Sequence, residues 1–170
     1  SYGDFRGQIV DRDAIRPEHF DSWLDWGASR SVKLDMNSTY FSHPMADSGF
    51  TLSSKDPAVR RFWVEHALRT REASAHIGRR QGSPCIHNLW IPDGMKDNPA
   101  DRMGFRKLLF DSLEQIFRVD HPPQAMKDAL EGKLFGIGSE AYVGGSHEFY
   151  LLYAARKAKI DAYLAAAADD

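Results

Sequence analysis

Segments with strand-like and helix-like patterns alternate along this chain of 170 residues, and the alternation limits the fold more than any other feature. Strands are predicted at about 31–36 and 84–91, and a third begins at Glu131 and continues into the apolar residues at 134–137. Stretches of helical periodicity separate them, and strands separated in this way pair in parallel through right-handed crossovers. The sequence therefore predicts an α/β fold with about three parallel strands, whose carboxyl ends form the functional site.

Helices are expected before, between and after these strands. Their predicted ranges are about 17–29, 57–78, 98–119 and 124–129, and a last helix follows Ser146. Prolines at positions 17, 57 and 99 fit first helical turns, and the preceding Asp56 and Asn98 fit cap positions. His66 falls on the apolar stripe of the second helix, where a packed core histidine is more common than a metal ligand.

Composition restricts the class of partner. The net charge of −2 and the pI of about 6.4 offer no general attraction for nucleic acid or an anionic membrane. No apolar run approaches the roughly 18 residues of a membrane span, and no signal peptide opens the sequence. The single cysteine, Cys85, lies in an apolar run, which predicts a buried thiol and no disulfide framework. We therefore expect one domain in a reducing, cytoplasmic setting.

Glu131 and Lys133 place two opposite charges at the start of the third predicted strand. Residues i and i+2 of a strand project to the same side, so the carboxylate and the ammonium would be neighbours. For an isolated Glu-x-Lys, an ion pair that faces water at a strand edge is the more common arrangement. The alternative is a metal-binding carboxylate beside a lysine that touches a substrate, and its support comes from the rest of the sequence.

Five segments together carry a resemblance to a known family. They are RPEHF (16–20), FSHPMADSGFTLS (41–53), NLWIPDGMKD (88–97), EGKLFGIGSEAY (131–142) and HEFY (147–150). In residues and in spacing, from about Ser1 to Lys159, they resemble L-rhamnose isomerase, a metal-dependent aldose–ketose isomerase of the β/α-barrel class. The resemblance implies that residues 1–170 form one partial domain of a (β/α)8 TIM barrel. It would comprise the central strands 3 to 5 with their flanking helices, and end in a frayed tail at 165–170.

The resemblance also implies roles for four individual residues. Glu131 corresponds to a glutamate that ligates the divalent cation, and Lys133 to the catalytic lysine that donates to the carbonyl end of the sugar. Trp90 corresponds to a tryptophan that walls the substrate pocket. Tyr2 is similar to a residue that lines the pocket for the methyl end of the sugar.

Three further polar residues, Asn37, His43 and Asp93, lie in the segments that follow predicted strands. At such positions a polar side chain either contacts the sugar or shapes the loop that holds the contacts. Because the segment 37–54 is long for a connection inside a domain, it is expected to be functional.

The implied reaction interconverts L-rhamnose and L-rhamnulose and moves a hydrogen between C1 and C2. A divalent cation, Mn²⁺ or another such as Mg²⁺, Co²⁺ or Zn²⁺, serves as Lewis acid and template, and an ammonium stabilises charge on O1. The resemblance further implies a homotetramer, and aspartate and histidine ligands on later strands. Because no such strand follows Lys159, the 170 residues by themselves are expected to be an inactive piece of the enzyme.

Two functions of other classes remain open at this point. One is a non-catalytic α/β interaction module whose strand-end loops bind a protein. The other is an anion-binding module, in which backbone N–H groups of Gly136, Gly138 and Ser139, or of Gly144, Gly145 and Ser146, hold a phosphate. Neither glycine set matches a nucleotide-binding fingerprint.

Overall fold

The computed structural model describes residues 3–133 and 139–168, with side chains up to residue 159. Its helices are α1 (Asp21–Ser29), α2 (Pro57–Gln81), α3 (Arg102–Ile116) and α4 (His147–Ala168). Its strands are β1 (Met36–Ser38), β2 (Cys85–Leu89), β3 (Gly94–Met95), β4 (Met126–Leu130) and β5 (Tyr142–Val143). Short 3-10 turns lie at Arg12–Ala14, Pro17–Phe20 and Pro44–Ala46.

Three strands form a parallel sheet in the order β1-β2-β4, with β2 in the centre. Residue 36 of β1 aligns with residue 87 of β2, and residue 85 of β2 aligns with residue 126 of β4. The predicted α/β fold with about three parallel strands is thus confirmed. A second, antiparallel pair, β3 with β5, was not predicted, and it lies beyond the carboxyl end of β2 along the chain.

The third parallel strand was placed wrongly by the sequence interpretation. β4 occupies Met126–Leu130, where a short helix at 124–129 was predicted, and residues 131–133 lie beyond its end. The reason is Asp128, whose side chain faces the helices and pairs with Arg71, so the buried face of this strand is not apolar throughout. The predicted continuation at 134–137 lies outside the described residues.

β1 is also displaced, to Met36–Ser38 from the predicted 31–36. The side chain of Gln81 from the end of α2 takes the place of a strand partner just before it. Its amide oxygen accepts from the Leu34 N–H at 2.8 Å, and its amide nitrogen donates to the Leu34 carbonyl at 3.1 Å. Pairing with β2 therefore begins only at Met36, which aligns with His87.

Most helix boundaries follow the predicted caps. The Asp56 side chain accepts from the Ala58 N–H at 2.8 Å at the start of α2, and the helix ends against Gly82, whose φ is +69°. Ser146 caps α4 by accepting from the Phe149 N–H at 3.4 Å. The start of α3 differs, because Asp101 rather than Asn98 provides the cap. α4 continues to Ala168 and so includes residues 165–168 of the predicted tail.

The sheet has one face covered by helices and one open face. Alternate residues Cys85, His87 and Leu89 of β2 are buried beneath α2, as was predicted for Cys85. The intervening residues Ile86 and Asn88 are partly exposed on the other side, and Ile86 shows 36% of its surface to solvent. No helix within the described ranges is long and apolar enough to cross a membrane.

Candidate functional site

A row of three polar side chains crosses the open face at the carboxyl end of the parallel sheet. Asn37 of β1 aligns with Asn88 of β2, and Glu131 follows the last residue of β4. The backbone N–H of Glu131 donates to the carbonyl of Leu89 at 3.0 Å, which continues the strand ladder by one residue. The amide nitrogen Nδ2 of Asn88 donates to Asn37 Oδ1 at 3.4 Å and to Glu131 Oε2 at 2.5 Å.

Glu131 is exposed, and its carboxylate offers hard oxygen atoms of the kind that Mn²⁺ and Mg²⁺ prefer. It therefore fits a divalent cation as one ligand. In the part of the chain that the structure describes, no three His, Cys, Asp or Glu side chains come together as a metal-binding group. A complete coordination shell would need donors from outside these residues.

Lys133 is not the neighbour of Glu131 that strand geometry predicted. Because β4 ends at Leu130, the same-side rule for positions i and i+2 does not apply to this pair. The Lys133 side chain is only 6% exposed, and its ammonium donates to the Pro92 carbonyl at 2.6 Å and to the Glu140 carboxylate. The buried positive charge is thus paired with Glu140.

Glu140 was missed by the sequence interpretation, and the small antiparallel sheet explains its position. Its neighbour Ala141 donates from its N–H to the Met95 carbonyl at 3.0 Å, just before β5 pairs with β3. The Lys133 N–H donates to the Gly145 carbonyl at 2.9 Å, on the other side of β5. Since neither Lys133 nor Glu140 lies in a helix or a strand, no spacing rule within such an element could have joined them.

Trp90 is half-buried and follows Leu89 at the carboxyl end of β2, as Glu131 follows Leu130 on β4. Because Leu89 and Leu130 are aligned, the indole and the carboxylate emerge at the same rim of adjacent strands. The rings of Trp90 and Phe41 pack in a T-shaped arrangement, with centroids 5.8 Å apart. The segment after β1 therefore supports this aromatic wall.

Asp93 is completely buried and shapes the loop between β1 and α2. Its two carboxylate oxygens accept from the backbone N–H and the hydroxyl of both Thr51 and Ser53. Burial raises the pKa of Asp93, and the four hydrogen bonds oppose that rise. All of these contacts are internal, which favours the loop-shaping role over direct contact with a sugar.

His43 also has internal partners in the same loop. Its Nε2 lies 3.0 Å from Asp11 Oδ1, its Nδ1 accepts from the Met45 N–H at 3.1 Å, and its ring stacks on Phe62. Of the other predicted residues, Asn37 belongs to the polar row and Tyr2 lies outside the described residues.

Of the two glycine-rich segments considered as anion sites, one lies largely outside the described residues and the other has partners within the protein. Gly136 and Gly138 lie outside the described residues. The N–H of Gly144 donates to the Asp93 carbonyl at 3.2 Å, and the Ser146 hydroxyl lies 3.3 Å from Arg106 while it caps α4. Two polar groups of the second set thus have partners inside the protein.

The chain was compared with known proteins. The family model described as L-rhamnose isomerase (RhaA) matches residues 1–167. Among curated relatives, the L-rhamnose isomerase of Rhodopirellula baltica is 52% identical over 159 residues, 94% of this chain and 37% of the relative. The L-rhamnose isomerase of Bacteroides thetaiotaomicron is 50% identical over 159 residues, with the same coverage, and that of Cronobacter sakazakii is 47% identical over 148 residues, 87% of this chain and 35% of the relative. The chain therefore spans little more than a third of the relatives it matches.

Proposed function

Because the chain belongs to the L-rhamnose isomerase family, we propose that it forms the central part of an enzyme that interconverts L-rhamnose and L-rhamnulose. The observation that carries this proposal is the polar row Asn37–Asn88–Glu131 at the carboxyl rim of a parallel sheet. In β/α folds this rim is where catalytic groups gather. We also propose that the three parallel strands are strands 3 to 5 of a (β/α)8 barrel, whose interior is the open face of the sheet.

In this proposal the reaction is a metal-assisted hydrogen transfer between C1 and C2 of the sugar. A divalent cation such as Mn²⁺ supplies Lewis acidity and orients the sugar oxygens. Glu131 contributes one oxygen ligand, and Trp90 offers an apolar wall that excludes water from the sugar. Both groups emerge at the same rim, which is the arrangement that a shared substrate pocket requires.

Lys133 supplies a positive charge for the oxygen at the carbonyl end of the sugar. A lysine ammonium has three hydrogens, and the described residues accept two of them, at Pro92 and at Glu140. The third hydrogen can be donated to a sugar oxygen without breaking either contact. Glu140 compensates the charge of Lys133 inside a buried site, where an unpaired ammonium would be costly.

We further propose that the 170 residues have no isomerase activity by themselves. Mn²⁺ and Mg²⁺ favour six oxygen-rich ligands, and Glu131 provides one of them. Within residues 3–133 and 139–168, β1 and β4 form the two edges of the parallel sheet, and neither pairs with a further strand. The appearance of ketose when the purified chain is mixed with L-rhamnose and Mn²⁺ would contradict this proposal.

The decisive experiment is a chimera in which this chain replaces the matching segment of the Rhodopirellula baltica relative. If the proposal is right, the chimera forms L-rhamnulose from L-rhamnose in the presence of Mn²⁺. Glu131→Gln and Lys133→Met should each reduce kcat/KM by at least about 100-fold, since each removes a charged group that acts on the reacting atoms.

Matched controls use charged residues away from the rim. Arg79→Met removes an exposed guanidinium from α2, and Glu65→Gln removes a partly exposed carboxylate from the same helix; both should leave kcat/KM within about twofold. A folded chimera that forms no ketose refutes the proposed function. Equal turnover in Glu131→Gln and Glu65→Gln refutes the role of Glu131.

The proposal also includes the cellular location and the oligomeric state of the enzyme. We expect a cytoplasmic homotetramer, on the basis of the family and of the single buried cysteine. Light scattering of the purified chimera measures the tetramer directly.

A further inference from the structure

We propose that Asn88 is a positioning residue for Glu131, because its amide holds one carboxylate oxygen in place and leaves the other oxygen for a divalent cation. The inference rests on the proposed function, in which Glu131 is a cation ligand. It concerns a residue that neither the sequence pattern nor the family resemblance had assigned. Three observations on the open face of the sheet support it.

The first observation is that the hydrogen bonds fix the orientation of the Asn88 amide. Its NH₂ group has two hydrogens, and these point at Asn37 Oδ1 and at Glu131 Oε2. If the amide were flipped, its oxygen would face two other oxygens, one of them charged. Asn37 thereby orients Asn88, and Asn88 orients Glu131.

The second observation is the register of the three strands. Asn37 and Asn88 are aligned partners, and the backbone N–H of Glu131 is bonded to the Leu89 carbonyl at 3.0 Å. Because side chains alternate between the two faces, a shift of one residue would move the row to the helix-covered face. The sheet therefore holds all three side chains on one face and at one rim.

The third observation is the contrast between the two oxygens of Glu131. Oε2 accepts from Asn88 at 2.5 Å, whereas Oε1 has no hydrogen-bond partner within 3–133 and 139–159. The residue is exposed, so packing alone does not restrict its side-chain rotamers. The contact from Asn88 is therefore what limits the directions in which Oε1 can point.

The test is the affinity of the chimera for Mn²⁺, measured by isothermal titration calorimetry in the absence of sugar. Loss of an outer partner of a metal ligand weakens binding by about 10–100-fold, and we expect this increase in Kd for Asn88→Ala. Asn88→Leu, which keeps the branched shape of the side chain without the amide, should give the same increase. Glu65→Gln removes a carboxylate from α2, on the covered side of the sheet, and serves as the control that should leave the Kd unchanged.

A double-mutant cycle separates positioning from a general effect on folding. If Asn88 acts through Glu131, then Asn88→Ala in a Glu131→Gln background causes no further loss of Mn²⁺ affinity. An equal further loss in that background overturns the inference, as does an unchanged Kd in both Asn88 variants. Melting temperatures of all variants are measured alongside, and a loss of affinity that only accompanies unfolding also counts against the inference.

The outcome is distinguishable from failure of the proposed function. If the chimera binds Mn²⁺ through Glu131 and Asn88 but forms no ketose, then the isomerase proposal fails and the positioning role stands. If it forms ketose while its Mn²⁺ affinity is indifferent to Asn88, then the isomerase proposal stands and the positioning role fails.

Discussion

Replacement of His66 by glutamine should remove a large part of the acid sensitivity of this fold. His66 is fully buried in α2, between the rings of Tyr40 and Trp63. Its Nδ1 lies 3.0 Å from the Arg12 carbonyl and so carries the hydrogen, while its Nε2 has no hydrogen-bond partner among the residues that the structure describes. Burial lowers the pKa of His66 from 6.5 to about 4, and the bond to Arg12 opposes this only in part.

The magnitude follows from proton linkage. Because the folded pKa lies below the unfolded pKa, the unfolded chain binds a proton between pH 6.5 and 4 that the folded chain excludes. The stabilisation is therefore complete above pH 6.5 and is lost as the pH falls towards 4. Between pH 7.5 and pH 5 the loss that His66 causes in the free energy of unfolding is about 2 kcal/mol.

The assay is urea denaturation from pH 7.5 to 5, followed by tryptophan fluorescence, to which the buried Trp63 contributes. His66→Gln and a second non-titrating variant, His66→Met, each shift the stability at pH 7.5 by their own amount. Both should nevertheless lose about 2 kcal/mol less than the wild type over this range. The other histidines contribute to all three proteins alike. The same loss of stability in the wild type and both variants would refute the argument.

Two further predictions concern the packing between α2 and its neighbours. Arg71→Met leaves the partly buried Asp128 without the guanidinium that binds it in the wild type. Urea denaturation should show that the free energy of unfolding falls by about 3–5 kcal/mol. A decrease below about 1 kcal/mol would mean that the pair contributes no more than an exposed surface ion pair. Gly78→Ala places a Cβ atom 1.6 Å from the Ala125 carbonyl oxygen, so α2 must shift and the loss should be about 1–3 kcal/mol or more. The exposed neighbour Arg79→Ala should stay within about 0.5 kcal/mol, and equal effects at the two positions would contradict the close approach.

The sequence predicted those parts of the fold that depend on apolar periodicity and local caps. The range of β2 and the cap of α2 at Asp56 were correct because both are set by adjacent residues. β4 was missed because Asp128 interrupts its buried face, and that charge is acceptable only because Arg71 reaches it from another element. Because Arg71 and Asp128 are far apart in the sequence, their contact produces no periodic pattern from which it could be predicted.

The candidate site, like the fold, was predicted only in part from the sequence. Trp90 could be placed at a strand-end rim, since a parallel sheet brings its carboxyl ends together. Glu131 was predicted at the start of a strand, whereas it directly follows the end of β4. The pairing of Lys133 with Glu140 could not be predicted, because it depends on the unpredicted antiparallel pair β3 and β5. Asn88 was not singled out from the sequence, because its contact with Glu131 depends on strand register.

The two faces of the sheet show why the chemistry is assigned to the open one. On the covered face His87 has partners at both nitrogens, with Asp128 at 3.0 Å from Nδ1, and Ser38 and Thr70 at 3.1 and 3.0 Å from Nε2.

The contacts of Ser38 and Asp128 with the two nitrogens of His87 resemble those of a hydrolase triad. However, His87 is completely buried, and Arg71 already binds Asp128. Burial acts to raise the pKa of Asp128, but the hydrogen bonds from His87 and Arg71 outweigh it and lower that pKa. A network that is satisfied in this way stabilises the packing and has no group left for a substrate. On the open face, by contrast, one oxygen of the exposed Glu131 has no partner among the described residues, so a cation can approach it from solvent.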